Sequence, residues 1–182
     1  AVILVETQQK ENLLNHLNTF LFRENVTLAS SNYFVLALQG PKSQEIIKSF
    51  TQSSDSIPEK PNHICEFTFE GLPALVIAKS LTGEEGCVLA FQTESEDTIT
   101  KKLLELEQQN LLTHIDHHAR EVFRIESGIP SYGKDINDKN ILPETGLEHS
   151  SVSYNKGCYI GQEVIARIKT YGAPNFALMG LI

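Results

Sequence analysis

The chain has 182 residues, a net charge of −8 at pH 7, 41% hydrophobic residues and 21% charged residues, which is ordinary for a globular protein. The negative charge argues against a strong general affinity for nucleic acid, because the phosphate backbone repels it. No apolar run approaches the roughly 18 residues of a membrane span, so no membrane partner is expected. Three cysteines without a C-x-x-C pair or a secretion signal indicate free thiols in a reducing, cytoplasmic setting.

The first part of the chain alternates predicted strands and helices. Strands are predicted at residues 2–5, 26–28 and 33–38, with one helix after Thr7 and a second that opens at Gly40-Pro41. The resulting β-α-β-β-α order is typical of the α+β class, with helices on one side of a mostly antiparallel sheet. Because the apolar ends at 1–5 and 176–182 are abrupt, we expect a trimmed chain that is cut within sheets at both ends.

The second part repeats this kind of alternation. Residues 51–62 are polar and contain two prolines, so a loop is predicted there. Strands are predicted at 64–69, 73–79 and 87–91, and a helix from about Thr93 to Asn110 follows, since Thr93 and Glu96 have the spacing of a capping box. We therefore expect two α+β subdomains, at 1–62 and 63–175, and the start of a further domain at 176–182.

The next predicted helix carries candidate ligand-binding residues. Asp116 is suited to cap its start, and Gly128 to end it. A buried stripe is predicted from three apolar residues at i, i+3 and i+4, namely Ala119, Val122 and Phe123. Glu126 belongs to the same stripe at i+7. A carboxylate on an apolar face is costly unless it is paired, so Glu126 is expected either to accept backbone hydrogen bonds or to face a ligand.

Arg120, Arg124 and Ser127 occupy an adjacent face of this helix, at i, i+4 and i+7. Two guanidinium groups one turn apart can bind a carboxylate or a phosphate through paired hydrogen bonds. The alternative is a solvated face on which the arginines form salt bridges with nearby acidic residues, as is usual for charged side chains on a helix surface. The sequence favours the second interpretation on pattern alone.

A group of residues before and within this helix has metal-binding side chains: His114, Asp116, His117 and His118. His117 and His118 are neighbours, so they point to different sides of a helix. A zinc site needs about four converging ligands, and no second cluster accompanies this one in the sequence. No metal site is therefore predicted.

Residues 131–155 predict a long loop that leads to the segment Lys156-Gly157-Cys158-Tyr159-Ile160-Gly161-Gln162-Glu163, here called the cysteine motif. Ile160, Val164 and Ile168 recur at i, i+4 and i+8, which predicts a helix directly after Cys158. A helix N-terminus and a nearby lysine both raise the thiolate fraction of a cysteine. Cys158 is thus a candidate for a reactive or ligand-contacting thiol, with Lys156 as its activating charge. The alternative is a buried, inert cysteine, which we expect for Cys65 and Cys87.

The cysteine motif resembles the K-G-C-Y-x-G-Q-E signature of the YgfZ family, which is related to the aminomethyltransferase (T-protein) of the glycine cleavage system. Three further segments resemble elements of these proteins. Leu38–Ser43 is similar to their L-Q-G-P-x-S element, Thr82–Gly86 to a T-protein turn, and Arg124–Pro130 to an R-x-E-x-G-x-P segment. The resemblance therefore extends over most of the chain, and the cysteine motif is its most specific part.

The resemblance implies a tetrahydrofolate-binding fold of ferredoxin-like α+β layers, with an upstream segment and a C-terminal barrel outside this chain. It implies support of iron–sulfur enzymes and tRNA modification, with iron–sulfur enzymes as partners. Arg120 matches an arginine with which the T-protein contacts folate. On this basis the predicted folate-binding residues are Arg120, Glu126, Arg124, Tyr159 and Gln162, and the predicted reactive residues are Cys158 and Lys156.

The pattern departs from the T-protein at two positions. Leu81 stands where the T-protein has a folate-contacting tyrosine, and Val88 stands at about the position of a pterin-binding glutamate. Neither side chain can form a hydrogen bond. Three functions therefore remain open: a folate-binding accessory protein, a folate-dependent aminomethyltransferase, and an interaction module that binds no folate.

Overall fold

The computed structural model describes residues 1–51, 58 and 60–180. The chain divides into two compact units, Ala1–Tyr33 and Phe34–Ile182, and each is described by itself. In the first unit a turn of 3-10 helix, Thr7–Gln9, leads into helix α1, Lys10–Thr19. The helix predicted after Thr7 is thereby confirmed. None of the residues of α1 is buried.

The strands predicted at residues 2–5 and 26–28 are wrong. Both segments lie outside regular secondary structure, and the side chains of residues 2–5 are 42–59% exposed. The physical reason is that a strand is stable only when a neighbour takes up its backbone N–H and C=O groups. No strand within the described residues pairs with either segment.

One four-stranded sheet organises the second unit. Its strands are β1 (Tyr33–Gln39), β2 (Ile64–Phe69), β3 (Leu72–Ala78) and β4 (Gly86–Gln92), in the order β1-β4-β3-β2. Strand β3 pairs antiparallel with both neighbours, so that Val76 lies opposite Cys65 and Leu89. The four strand predictions in this region and the α+β class are confirmed. Since β1 precedes residue 62 and the other strands follow it, one sheet spans both predicted subdomains.

Two helices share a core with one face of the sheet: α2 (Ser43–Ile47) and α3 (Glu96–Gln108). Ile47, Ile99 and Leu106 of these helices belong to the same buried cluster as alternate residues of the strands. Phe91 of β4 is fully buried, and its ring centroid lies 5.1–5.9 Å from those of three other phenylalanines, Phe50, Phe67 and Phe69. The period-2 geometry of the strands thus places alternate apolar side chains under the helices.

The remaining helices are α4 (His117–Glu126), α5 (Glu148–Ser151) and α6 (Gln162–Tyr171). A 3-10 turn, Leu142–Thr145, precedes α5, and the carbonyl of its Glu144 accepts a hydrogen bond of 2.8 Å from the N–H of Leu178. Among the described helices, none has both the length and the apolar character needed to cross a membrane.

Candidate functional site

Gln39, the last residue of β1, holds the turn that connects β3 to β4. Its Nε2 lies within hydrogen-bonding distance of three carbonyl oxygens, at 3.0 Å from Leu38, 3.1 Å from Lys79 and 3.3 Å from Cys87. Its Oε1 accepts a hydrogen bond of 2.7 Å from the N–H of Leu81. One half-buried carboxamide therefore joins two neighbouring strands to the start of the turn at residues 79–85, here called the β3–β4 turn.

Glycine leaves room for the Gln39 side chain where β4 begins. A Cβ atom at Gly86 would overlap the carboxamide of Gln39. Just before it, the carbonyl of Glu85 accepts a hydrogen bond of 2.7 Å from the N–H of Gly40, which follows β1. Two segments that resemble the family therefore lie against each other, namely Leu38–Ser43 and Thr82–Gly86. The Gln39–Leu81 hydrogen bond beside them joins residues 42 positions apart.

The same turn contacts the C-terminal end of α4. The hydroxyl of Ser127 donates a hydrogen bond to the carbonyl of Thr82, whose side chain is buried. Gly83 has φ +85°, and a Cβ atom there would overlap the side chain of Ser127. Gly83 therefore meets two requirements that favour glycine, a left-handed backbone and a close approach.

Helix α4 begins and ends as predicted. The Oδ1 of Asp116 accepts a hydrogen bond of 2.8 Å from the N–H of Ala119, and Gly128 at φ 64° follows the helix. The predicted buried stripe is wrong, however: Val122 is 41% exposed and Phe123 is 43% exposed. The periodicity identified an amphipathic helix correctly, but the described residues do not cover its apolar face.

Glu126, which was placed on that stripe, is also exposed, so the predicted conflict between its carboxylate and an apolar environment does not arise. The residue of α4 that is buried is Arg124, at 9% exposure. Polar contacts rather than apolar packing therefore dominate the burial of this helix.

The Arg124 guanidinium joins the last turn of α4 to the segment that follows it. Its Nε and Nη2 donate to the two carboxylate oxygens of Glu121 at 3.1 and 3.2 Å. Its Nη1 donates to the carbonyl of Ile129 at 2.5 Å and to Asp135 Oδ2 at 2.6 Å. Lys134 adds a hydrogen bond of 2.7 Å to Glu121. The salt-bridge interpretation is correct for Arg124, because these contacts occupy most of its donors.

These contacts set the protonation of both carboxyl groups. Hydrogen bonds from Arg124 and Lys134 lower the pKa of Glu121 to about 2. The pKa of Asp135 is also lowered, chiefly by the hydrogen bond from the backbone of Ser131, with a further contribution from Arg124. Both acids are therefore anions at neutral pH, and the network carries two negative and two positive charges.

Arg120 differs from Arg124 in its freedom to bind a ligand. Its side chain is 50% exposed, and its Nη2 lies 3.5 Å from Glu121 Oε1 and 3.4 Å from His117 Nε2. These are long contacts at one nitrogen of the guanidinium group. Arg120 can therefore offer donors to an incoming anion, whereas Arg124 has few to offer.

Residues 156–161 of the cysteine motif form an irregular segment before α6, and the last two residues of the motif begin that helix. That helix begins at Gln162, with Gly161 at φ 83° as its N-cap, so the prediction that it starts directly after Cys158 is wrong. A left-handed residue cannot continue a helix, which excludes Ile160 from it, and Ile160 is 73% exposed. Cys158 is exposed, Cys65 is half-buried and Cys87 is buried.

Two lysines lie over two tyrosines in this segment. Lys156 Nζ is 4.8 Å from the centroid of the Tyr159 ring, and Lys169 Nζ is 3.5 Å from that of Tyr154. The hydroxyl of Tyr154 donates to Glu148 at 2.5 Å, and this hydrogen bond is the main reason why the pKa of Tyr154 is raised to about 12. Cation–π contacts and one short hydrogen bond thus hold the chain on both sides of Cys158.

Tyr159 and Gln162 contact each other, since the N–H of Tyr159 donates to Gln162 Oε1 at 3.3 Å. The Tyr159 hydroxyl is buried and has no hydrogen-bond partner within the described residues. Hydrogen bonds of residues 156–163 reach only as far as Arg167 in the part of the chain that the structure describes. The predicted site residues therefore form two groups, one on α4 and one around Cys158, and no described hydrogen bond joins them.

Residues 1–156 match the family model described as the GCVT N-terminal domain. The chain belongs to the GCVT N-terminal domain family. An aminomethyltransferase of Symbiobacterium thermophilum is 32% identical over 84% of this chain and 41% of its own length. An aminomethyltransferase of Bacillus cytotoxicus is 31% identical over 82% of this chain and 41% of its own length. A protein of Arabidopsis thaliana with a provisional name as a chloroplastic transferase is 29% identical over 94% of this chain and 39% of its own length.

The chain thus spans about two fifths of the length of these curated relatives. The match to the GCVT N-terminal domain ends at Lys156, so Cys158 and the rest of the cysteine motif follow it. The Gln39 and Ser127 contacts lie inside the match. Both residues belong to segments that resemble the family. Their hydrogen bonds to the β3–β4 turn could not be predicted from the sequence, because each joins residues at least 40 positions apart.

Leu81 and Val88, the two positions where the resemblance implies a departure from the T-protein, are close in sequence to groups that Gln39 contacts. Leu81 is half-buried and offers its backbone N–H to Gln39. Val88 is 3% exposed in β4, opposite Ile77 of β3. An aliphatic residue buried between strands supplies no group that can hydrogen-bond a pterin ring.

Proposed function

We propose that the protein is a tetrahydrofolate-binding accessory protein of the YgfZ type, which supports iron–sulfur enzymes and tRNA modification in the cytoplasm. The observation that carries this proposal is the exposed Cys158, in a motif that begins where the match to the GCVT N-terminal domain ends. Relatives named as aminomethyltransferases support a folate ligand. Cys158 is then the reactive or ligand-contacting thiol, and Lys156 is the charge beside it.

Three residues fit a folate ligand best. Arg120 has the exposed guanidinium that can pair with the carboxylates of the folate tail. Glu126 is exposed at the last position of α4, two residues after Arg124, and can order the polar part of a ligand. Tyr159 has a buried hydroxyl without a described partner, a group whose desolvation cost a ligand can offset. Bound tetrahydrofolate would supply a carrier for a one-carbon unit.

Arg124 and Gln162 have smaller roles in this proposal. The donors of Arg124 serve Glu121, Ile129 and Asp135, so its contribution is to hold α4 in place. Gln162 Oε1 accepts the N–H of Tyr159, so it orients that residue. We therefore assign ligand contact to Arg120 and support of the site to Arg124 and Gln162.

The binding proposal is tested by titration of tetrahydrofolate into the protein at its natural length. Arg120→Met is expected to weaken binding about tenfold, the usual cost of losing a charge-assisted pair of hydrogen bonds. Arg23→Met is the matched control, since it removes the same charge from an exposed position in the other unit and should leave binding unchanged. If the natural protein shows no binding, only the interaction-module interpretation survives.

The role of Cys158 is tested by alkylation of the native protein. Cys158 should react fastest and Cys87 slowest, because burial raises the pKa of Cys87 to about 12. Exposure alone would give the same order, so a second measurement is needed. Lys156→Met should slow alkylation of Cys158 at neutral pH several-fold without affecting Cys65. An unchanged rate would contradict activation by Lys156.

A folate-dependent aminomethyltransferase is the second candidate, and the names of the relatives that are 31–32% identical favour it. Such a transfer needs a positioned acid–base group near the reacting nitrogens. The two candidates differ in turnover, so transfer of a one-carbon unit to tetrahydrofolate should be measured directly. Turnover that Glu126→Gln abolishes would favour the transferase, whereas binding without turnover would favour the accessory protein.

A further inference from the structure

The position of α4 depends on few apolar contacts within the described residues. Its apolar residues Val122, Phe123 and Ile125 are 41–63% exposed, while Arg124 and Ser127 make directional contacts with other segments. A hydrogen bond can hold a helix in place only if the group that accepts it is itself held in place. The acceptor of the Ser127 hydroxyl is the carbonyl of Thr82, so the β3–β4 turn helps to determine where α4 ends.

The β3–β4 turn is in turn fixed by Gln39. Both ends of the Gln39 carboxamide form hydrogen bonds with the turn. Its Nε2 donates to the carbonyl of Lys79, and its Oε1 accepts from the N–H of Leu81. The Thr82 hydroxyl also lies 3.5 Å from Gln39 Oε1. A continuous path of contacts therefore leads from the end of β1 through Thr82 to the end of α4.

We propose that Gln39 is a positioning residue for the ligand site on α4, acting through the Thr82 carbonyl and the Ser127 hydroxyl. This inference rests on the proposed function, because it takes the folate ligand to contact Arg120 and Glu126 on that helix. Gln39 itself contacts only protein groups. Its effect on the ligand comes from the direction in which α4 presents these two side chains.

The test compares tetrahydrofolate affinity with stability in variants of the protein at its natural length. Gln39→Met keeps the length of the side chain and removes its donors and acceptor. We expect it to weaken binding about tenfold in protein that remains folded, by analogy with the low end of the range for groups that orient metal-binding side chains. Ser127→Ala keeps Gln39 and breaks only the last contact of the path, so it should weaken binding in the same direction, by less.

Gln92→Met is the matched control. Gln92 ends β4, is half-buried like Gln39, and forms no side-chain hydrogen bond in the described part of the chain. Its replacement should leave both affinity and melting temperature unchanged. Gln39→Glu adds a second measurement, the pH dependence of tetrahydrofolate affinity, which a general loss of stability would not change in the same way. The introduced carboxylate faces carbonyl oxygens, and its protonation restores one donor, so the loss of affinity relative to the natural protein should shrink as the pH is lowered.

Each outcome separates this inference from the function on which it rests. If the natural protein does not bind tetrahydrofolate, the proposed function fails. If it binds, and Gln39→Met and Ser127→Ala bind equally well while folded, Gln39 has only a structural role and the inference is overturned. Should Gln39→Met fail to fold, Ser127→Ala and the pH profile of Gln39→Glu decide the question, because an unchanged affinity in the first and a flat profile in the second overturn it.

Discussion

The sheet with α2 and α3 is held together differently from the region of α4 to α6. In the first, apolar side chains such as Leu89 and Phe91 are fully buried between strands and helices. In the second, Ile125 and Ile160 are 63% and 73% exposed, and the buried side chain of α4 is an arginine. The sheet region therefore owes its stability mainly to the hydrophobic effect. Helix α4 owes its position to polar contacts, namely the hydrogen bond from Ser127 to Thr82 and the charged hydrogen bonds of Arg124. The ion pairs among them are sensitive to pH.

Substitution in the sheet region should have the largest effect on stability. Phe91→Ala removes a fully buried ring that packs against three other phenylalanine rings. We expect the free energy of unfolding to fall by about 3–5 kcal/mol, because transfer and cavity terms add. Denaturant unfolding monitored by circular dichroism measures this change.

Phe22→Ala is the control, since Phe22 is 84% exposed. Its removal should change the unfolding free energy by less than about 0.5 kcal/mol, as is usual for surface positions. Similar losses for Phe22 and Phe91 would mean that the cluster around Phe91 is not the main source of stability.

Arg124→Met should have an intermediate effect. The change leaves Glu121 and Asp135 without their shared partner and removes the hydrogen bond to Ile129. We expect a loss of about 1–3 kcal/mol, the range for hydrogen bonds to charged groups that are partly shielded from water. Arg167→Met is the matched control because Arg167 is 70% exposed. If Arg124→Met and Arg167→Met both lower the free energy of unfolding by the same small amount, the Arg124 network does not stabilise α4.

The pH dependence of stability distinguishes the charged contacts of α4 from the apolar core of the sheet region. The pKa of Glu121 is lowered to about 2 in the folded protein by Arg124 and Lys134, whereas an unfolded glutamate titrates near about 4.3. The stabilisation is therefore complete above about pH 5 and is lost as the pH falls toward about 2. The difference in unfolding free energy between the natural protein and Glu121→Gln should shrink over that window. A difference that stays constant with pH would contradict the role of the Glu121 carboxylate.

The sequence predicted the two regions unequally, for a physical reason. Short apolar runs, alternating in β2 and continuous in β3 and β4, specified the strands from Ile64 to Gln92, because burial of these side chains is what stabilises the sheet. On α4 the same reasoning placed Glu126 in the interior and overlooked Glu121, although Glu121 and Arg124 have an i, i+3 spacing that favours an ion pair. The contact between Arg124 and Asp135 has no such signal, since it depends on how the following segment folds back.

The smallest effect is expected at the end of the cysteine motif. Glu163 pairs with Arg167 at 2.5 Å on α6, but both side chains are more than two-thirds exposed, at 82% and 70%. Glu163→Gln should therefore lower the unfolding free energy by less than about 0.5 kcal/mol, with a still smaller effect at high salt. Denaturant unfolding at low and high ionic strength measures both values. If Glu163→Gln leaves stability intact but weakens tetrahydrofolate binding, the carboxylate serves the ligand, and the motif through Glu163 belongs to the binding site rather than to the helix alone.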